Sequence, residues 1–329
     1  MKSKVVLGVD IGGTKVAAGL VNENGEILSK TRVPMIVNAS AEVAMACVHR
    51  AMDDAMRSAA GPVHAIGVSS PGPLDPVKGI VLKTPNLPCW QNFPLLSHVE
   101  RRYRLPTLVD NDANAAGLAE ALWGAGKDSG CVFYATIGTG IGTAIIQDKR
   151  IHHGRTGAAA EGGHMTIDFD APVRCGCGKP GCVEGMASGP ALSERARQAL
   201  LRDESRSSAL FGLGSMTAEV ICDASNAGDP LARRILEETA QLLAVWLGNV
   251  VDLIEPEVIV VGGGLGTRMA GFFGAIQGNL SCWTINPRAH EIPLLPAKFG
   301  ADSGIAGSAA LWLADAELGA FRAGSTVGS

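Results

Sequence analysis

Short apolar runs on either side of glycine-rich turns form the pattern of the first part of the chain. VVLGVD and KVAAGLV flank one such turn, and the following VNENGEILSK carries the Asn-Gly pair that is typical of a tight β-hairpin. The pattern predicts strand, glycine turn, strand, turn and strand between Lys4 and Pro34.

Segments with helical spacing then alternate with further apolar runs. Ser40 is a candidate cap for one helix, and Asp229 with Pro230 has the residue types of the cap and first position of another. The apolar face is expected at Val43, Cys47, Ala51 and Ala55 in the first helix, and at Leu231, Ile235, Leu242, Val245 and Leu247 in the second. Strands are expected in 64–72, 106–109 and 256–266, an Ala-rich helix after 110, and a closing helix over 302–318.

The strand–turn–strand pattern of the N-terminal region occurs again further along. An offset of 126 residues, from residue 11 to residue 137, aligns IGGTKVAAGL (11–20) with IGTGIGTAII (137–146) without a gap. Both segments read Ile-Gly, then small residues, then an apolar strand. We interpret this repeat as an internal duplication.

Composition changes this picture by excluding several classes of protein. Of the 329 residues, 47% are hydrophobic and 18% are charged, which suits a packed two-lobed protein and not a disordered chain. Lys and Arg total 28 against 32 for Asp and Glu, a formal net charge of −4. Nucleic-acid binders usually carry a basic surface, so this balance argues against that class.

Targeting and membrane-spanning segments are not expected in this sequence. Asp10 interrupts the only early apolar core, and the most apolar later stretch, from Leu242 to Val261, contains Asp252, Glu255 and Glu257. We therefore expect a soluble, cytoplasmic protein.

Three glycine-rich segments indicate a phosphate-binding site. They are the turns in DIGGTK (10–15) and IGTGIG (137–142) and the glycines of VVGGGLG (260–266). Gly12 and Gly13 allow backbone N–H groups to approach phosphate oxygens, while Thr14 adds a hydroxyl and Lys15 a charge. Asp10, at a strand end, is a candidate Mg²⁺ ligand through water. Tight hairpins alone would also use such glycines, and no helix follows directly as in a P-loop.

Three of the eight cysteines are close together in GHMTIDFDAPVRCGCGKPGC (163–182). Cys175, Cys177 and Cys182 with His164 form a full set of ligands for a structural Zn²⁺. The Cys-x-Cys spacing differs from the commoner Cys-x-x-Cys, and unliganded thiols or a nucleic-acid-binding zinc ribbon are the alternatives.

Two acids in VDNDAN (109–114) are candidates for a general base. Asp110 and Asp112 lie at a predicted strand-to-helix junction, where the helix dipole favours an ionised carboxylate. Capping of the Ala-rich helix by both acids is the alternative. Physical chemistry does not choose between the two.

DIGGTK, IGTGIG and CGCGKPGCVEG together resemble the ROK family of bacterial sugar kinases and sugar-responsive repressors, over essentially the whole chain. The resemblance implies an α/β protein with the actin-like ATPase (ribonuclease H-like) fold, with two related α/β domains and a cleft between them. We expect a smaller domain from 1–112 plus 303–329 and a larger one, with the zinc-binding loop, from 113–302.

The resemblance also implies which residues bind ATP and metal. Magnesium would accompany the nucleotide, and the zinc would be structural. The implied ATP contacts are Asp10, Gly12, Gly13, Thr14 and Lys15, then Thr139 and Gly140, with Gly263 and Gly264 beside the adenosine; the implied metal ligands are His164, Cys175, Cys177 and Cys182.

The match to the family's Asn-Asp pair selects Asp112 as the catalytic base. The implied sugar contacts are Asn111, Asp112, Glu161, His164 and Glu184, with Gly72 and Asn86 in the loops SSPGPLD (69–75) and TPNLPCW (84–90). EGGHM (161–165) departs from the family pattern, which has a larger apolar residue between Glu161 and His164.

The function implied by these residues is ATP-dependent phosphorylation of a hexose, glucose first. The sequence leaves alternatives open for both substrates. The acceptor could also be fructose, mannose, allose or N-acetylmannosamine, and the phosphoryl donor could be polyphosphate. The alternative hypothesis, from a different functional class, is a sugar-responsive repressor. Two observations argue against it: the first strand is expected at Lys4, and no basic recognition helix is evident. The family also implies a homodimer or homotetramer, with no nucleic-acid or membrane partner.

Overall fold

The computed structural model describes residues 4–202 and 207–318. The end of the predicted smaller domain, from 319 onward, lies outside the described residues. Contacts between Cα atoms divide the chain into two compact units. The first contains the described residues of Met1–Asp128, Ile145–Ala160 and Ala301–Ser329, and the second contains those of Ser129–Ala144 and Glu161–Gly300.

Thirteen strands and ten α-helices are found in the described residues. The strands are β1 (Val5–Ile11), β2 (Lys15–Asn22), β3 (Ile27–Pro34), β4 (Ala65–Ser70), β5 (Leu74–Asp75), β6 (Ile80–Lys83), β7 (Gln91–Phe93), β8 (Thr107–Asn111), β9 (Cys131–Ile137), β10 (Ile141–Gln147), β11 (Arg150–Ile151), β12 (Val258–Gly262) and β13 (Leu294–Pro296). The helices are α1 (Ala41–Arg57), α2 (Leu95–Tyr103), α3 (Asp112–Trp123), α4 (Val183–Ala187), α5 (Gly189–Leu201), α6 (Ala218–Asn226), α7 (Pro230–Ile254), α8 (Gly264–Arg268), α9 (Phe273–Asn279) and α10 (Ser303–Leu318).

One five-stranded sheet has the order β3-β2-β1-β4-β8. β1, β4 and β8 are parallel, and their pairing register places Asp10 beside Ser69 and Ser69 beside Asp110. Three polar side chains therefore line up at the carboxyl ends of neighbouring strands, which is the edge where α/β sheets bind ligands. A small antiparallel sheet, β5-β6-β7, follows β4 in the chain.

A second five-stranded sheet has the order β11-β10-β9-β12-β13, which repeats the arrangement of the first. β9 begins at Cys131 and β10 at Ile141, so both start at the same 126-residue offset from β1 and β2 that the sequence repeat has. β12 lies parallel to β9, as β4 lies parallel to β1. The expectation of two related α/β domains is confirmed.

A row of glycines lets helix α10 pack directly on the backbone of the first sheet. Gly19, Gly8 and Gly67 are paired with one another across β2, β1 and β4. A Cβ atom on Gly8 would lie 2.1 Å from the carbonyl oxygen of Ile305, and one on Gly67 would lie 1.7 Å from that of Ser308. Side chains are thus excluded at Gly8 and Gly67 because the helix backbone occupies their space, and at Gly19 because the Ser29 carbonyl oxygen and the Ile305 side chain occupy it.

Four of the ten described helices, α1, α3, α7 and α10, correspond to helices that the sequence analysis predicted. Ser40 and Asp229 cap α1 and α7 by accepting hydrogen bonds from backbone N–H groups, as predicted. The predicted apolar face of α1 is wrong at Val43, which is exposed, because the buried stripe runs through its neighbour Ala44 instead. On α7, Leu242 and Val245 are only half-buried. Among the described helices, none is both long and apolar enough to cross a membrane.

We expect Gly67→Ala to lower the free energy of unfolding by about 1–3 kcal/mol, because the new methyl group would displace the backbone of α10. Gly61→Ala is the matched control: a Cβ atom there has no neighbour within 4 Å, and its effect should stay within about 0.5 kcal/mol. Urea unfolding of the two variants measures the difference. Equal stabilities would contradict the packing described here.

Candidate active site

The first glycine turn joins β1 to β2. The N–H of Gly12 donates to the carbonyl oxygen of Lys15 at 2.9 Å, so this group closes the hairpin. Gly13 and Thr14 lie at the tip of the turn, and the Thr14 carbonyl accepts from the N–H of Met35. The side chains of Thr14 and Lys15 are exposed. The turn therefore presents a hydroxyl and a cation beside a glycine.

The Asp10 carboxyl group is held at the end of β1 by neighbours from β4 and α10. The Ser69 hydroxyl donates to its Oδ1 at 3.1 Å, and the Ser308 hydroxyl is 2.9 Å from that of Ser69. A Cβ atom on Gly304 would lie 2.2 Å from the Asp10 Cγ, so only glycine fits there. Burial raises the pKa of Asp10, while the Ser69 hydrogen bond and the charge of Lys15 act in the opposite direction.

The junction between β8 and α3 holds the two candidate acids in different surroundings. Neither acid is the cap of α3: Asn111 is, since its Oδ1 accepts from the N–H groups of Ala113 and Asn114. Asp110 is buried, whereas Asp112 is half-buried at the first position of the helix. Asp112 Oδ1 accepts from the N–H of Ala113 at 2.8 Å.

Two predicted sugar-loop residues lie beside other candidate residues of the same unit. A Cβ atom on Gly72 would lie 3.1 Å from Nδ2 of Asn111, so the SSPGPLD loop approaches the capping side chain closely. The carbonyl oxygen of Asn86 would be 2.8 Å from a Cβ on Gly13, which places the TPNLPCW loop against the first glycine turn.

The second glycine turn, between β9 and β10, is anchored by Glu184. Oε2 of Glu184 accepts from the N–H of Ile141 at 2.9 Å, and a Cβ atom on Gly140 would lie 2.6 Å from the same oxygen. Oε1 of Glu184 is 3.3 Å from Cys175 Sγ. One carboxylate thus joins the glycine turn to the cysteine loop, and the side chain of Thr139 is exposed at the tip.

The third glycine segment packs against the end of β9. Gly263 has φ of +82°, and a Cβ atom on it would lie 2.4 Å from the Ile137 carbonyl oxygen. Gly264 begins the short helix α8, and a Cβ atom there would meet nothing within 4 Å. Gly263 therefore lies next to the second glycine turn, while Gly264 borders open space.

The four predicted metal ligands form a cluster, and their ligand atoms lie within 4.8 Å of one another. The cluster consists of His164, Cys175, Cys177 and Cys182. Cys175 Sγ is 3.6 Å from His164 Nδ1, and Cys177 Sγ is 3.6 Å from Cys182 Sγ. Sulfur and nitrogen atoms bound tetrahedrally to one Zn²⁺, at about 2.0–2.3 Å from the ion, have separations of this size. Burial raises the pKa of the Cys175 thiol to about 12, so a bound ion would have to displace its proton.

The segment before the metal ligands is held against the second sheet. Thr143 Oγ1 accepts from the N–H of Gly162 at 2.8 Å, and Trp246 Nε1 donates to the Gly162 carbonyl at 3.0 Å. A Cβ atom on Gly162 would lie 2.8 Å from Thr143 Oγ1, so the space of the missing apolar side chain is taken by this threonine. Glu161 is exposed, and its side chain makes no hydrogen bond with any residue in the described ranges.

The sequence did not predict the residues that hold the side chains of Asp10 and Asp110 in place. Ser69, Ser308 and Gly304 hold Asp10, and His153 lies 2.6 Å from Asp110, measured from Nε2 to Oδ2. Glycines inside predicted strands are a signal for close backbone approach and would have pointed to the α10 contact. The pairing of His153 with Asp110 has no such signal, because 43 residues separate them.

Two α/β units with the same strand order, each with a glycine turn in its first hairpin, define a protein with the actin-like ATPase fold. The ROK family model matches residues 6–315, and the chain belongs to this family. The expectation drawn from the sequence resemblance is confirmed.

The relatives and solved structures that resemble this protein match most of the chain. The glucokinase of Streptomyces coelicolor is 34% identical over 93% of this chain and 97% of its own length. A ROK family glucokinase from Streptomyces griseus, solved in complex with glucose and AMPPNP, is 36% identical with a TM-score of 0.80, covering 93% of this chain and 98% of that one. The xylose repressor of Caldicellulosiruptor bescii is 30% identical over 82% of this chain and 67% of its own length.

Proposed function

We propose that this protein transfers the γ-phosphoryl group of ATP to a hydroxyl group of a hexose, with glucose as the preferred acceptor. The observation that carries the proposal is the β8–α3 junction. There Asn111 is the capping residue, and Asp112 places a half-buried carboxylate at the first position of the helix, where its Oδ1 accepts from the N–H of Ala113. The similarity to the S. griseus glucokinase, solved with glucose and a nucleotide, supports the same assignment.

In the proposed reaction Asp112 is the general base. Its carboxylate accepts the proton of the sugar 6-hydroxyl as that oxygen attacks the γ-phosphorus. A new P–O bond forms to the sugar, the bond from the γ-phosphorus to the bridging oxygen breaks, and ADP leaves with the electron pair. Asp110 is not suited to this role because three hydrogen bonds already occupy its carboxylate.

The phosphate contacts are assigned to both glycine turns. Thr14 and Lys15 offer a hydroxyl donor and a positive charge, and the exposed Thr139 offers a second hydroxyl. Asp10 is the residue suited to hold Mg²⁺, since its carboxylate is fixed by Ser69 and packed on Gly304. Bound magnesium would neutralise charge on the phosphates.

Sugar recognition is assigned to hydroxyl-binding side chains in each unit. Asn111 and Asp112 supply an amide and a carboxylate, with Gly72 and Asn86 in the flanking loops. The contacts assigned to the second unit are Glu161, His164 and Glu184. With Nδ1 of His164 facing the cysteines, its Nε2 is the nitrogen that can bind a sugar hydroxyl.

We further propose that the cysteine cluster holds one structural Zn²⁺. Four protein ligands leave no open position for chemistry, so the ion would fix the loop that carries His164 and Glu184. The Glu184 carboxylate, which also binds the Ile141 N–H, would then be positioned by the same ion.

We expect Asp112→Ala to lower kcat for glucose phosphorylation by about a hundredfold or more, because the sugar hydroxyl loses its proton acceptor. Sugar binding should partly survive through the other contacts. A coupled ADP-release assay across glucose, fructose, mannose, allose and N-acetylmannosamine, with ATP or polyphosphate as donor, measures both activity and preference.

Asp128→Ala is the control for this experiment because Asp128 is an exposed acid. It should behave as the wild type. Turnover of Asp112→Ala near the wild-type rate would remove Asp112 from its role. A wild-type protein that phosphorylates none of the hexoses would refute the proposed function.

Metal analysis of the purified protein should find about one zinc ion per chain, since the cluster offers one tetrahedral set. Cys177→Ser should lower the zinc content well below that value, while Cys282→Ser, which changes an exposed cysteine outside the cluster, should leave it unchanged. Zinc absent from the wild type, or retained in full by Cys177→Ser, would contradict the assignment.

A sugar-responsive repressor is the second candidate, favoured by the similarity to the C. bescii xylose repressor. The two candidates differ in a simple observation. A repressor would retain a specific DNA sequence and release it with sugar, whereas the kinase would release ADP only when sugar is present.

A further inference from the structure

The Asp110 carboxylate supports Asn111 and Asp112, the residues that the proposed reaction uses. Its Oδ1 accepts from the backbone N–H of Asn111 at 2.7 Å and from Nδ2 of Asn114 at 2.9 Å. Asn111 in turn caps α3 through its own Oδ1. Asp110 therefore fixes the backbone at the point where Asn111 and Asp112 leave the sheet.

His153 provides the remaining contact of this carboxylate. Its Nε2 lies 2.6 Å from Oδ2 of Asp110, which is 4% exposed. Hydrogen bonding to Asp110 raises the pKa of His153, which favours the charged imidazolium. A buried carboxylate is costly without a partner, so the hydrogen bond with His153 compensates for the burial of Asp110.

The histidine itself is held by a tight loop. The carbonyl oxygen of His153 accepts from the N–H of Ala159 at 3.2 Å. Gly157, inside this loop, packs so closely on Pro76 that a Cβ atom would lie 2.5 Å from its Cδ. The imidazole thus reaches Asp110 from a loop that a backbone hydrogen bond closes and that packs on Pro76.

We propose that His153 is a positioning residue for the phosphoryl transfer. Through Asp110 it sets the placement of the Asn111 amide and the Asp112 carboxylate. This role rests on the proposed function, and it concerns the sugar side of the reaction, because neither His153 nor Asp110 contacts the Gly13–Lys15 turn through any hydrogen bond among the described residues.

The proposal predicts a particular pattern of kinetic change. His153→Ala should lower kcat about tenfold and raise the KM for glucose, since a charge-assisted hydrogen bond is lost, while the KM for ATP stays unchanged. His153→Gln should recover most of the activity because its amide N–H can donate from nearly the same position as Nε2. His152→Ala, which removes the exposed neighbouring histidine, should match the wild type.

A double-mutant cycle with Asp110→Asn tests the route through Asp110. If His153 acts through this carboxylate, adding His153→Ala to Asp110→Asn should cause little further loss. Fully additive losses would overturn the proposal, as would wild-type kinetics in His153→Ala or no recovery in His153→Gln. An equal rise in the KM for ATP would also overturn it, because it would indicate general loosening of the fold.

The same assays separate the two proposals. A wild-type protein without hexose kinase activity refutes the proposed function and the positioning role with it. An active wild type in which His153→Ala changes nothing refutes the positioning role alone.

Discussion

The first unit depends on direct contact between the backbone of α10 and the glycines of its central strands. Gly19, Gly8 and Gly67 form a continuous row without side chains; the helix backbone lies on Gly8 and Gly67, and the Ile305 side chain lies on Gly19. This close approach brings Ser308 to Ser69 and Gly304 to Asp10. A larger residue in the row would move the helix outward, and the carboxyl group proposed to hold magnesium would lose its support.

Local signals in the sequence were sufficient for the repeated hairpins and for helices α1, α3, α7 and α10, but not for the small sheet β5-β6-β7 or for the remaining helices. The caps at Ser40 and Asp229, and the aligned turns at 11–20 and 137–146, depend on neighbouring residues, so the chain shows them directly. Burial was less predictable: Val43 has helical spacing but is exposed, because the direction of a helix face is decided by what packs against it. The strand order in each sheet is a tertiary property that no local pattern carries.

The sequence likewise predicted only part of the candidate site. Motifs with fixed spacing, such as the cysteine loop, identified residues that the structure brings within 4.8 Å of one another. The choice between Asp110 and Asp112 required the family resemblance, and the structure adds a physical distinction between them. Asp110 is buried, and its carboxylate takes part in three hydrogen bonds, one of them with His153. Contacts between distant residues, including that of Glu184 with Ile141, have no signature in a single sequence.

The two aligned turns differ in one chemically important respect. Lys15 of the first copy corresponds to Ile141 of the second, whose N–H is held by Glu184. The two copies of the repeat therefore form a cationic turn and an uncharged one, and the backbone of the uncharged turn is bound by a carboxylate. In the proposed reaction the two copies would have separate tasks: the first would attract phosphate through the charge of Lys15, and the second would offer a backbone that Glu184 fixes.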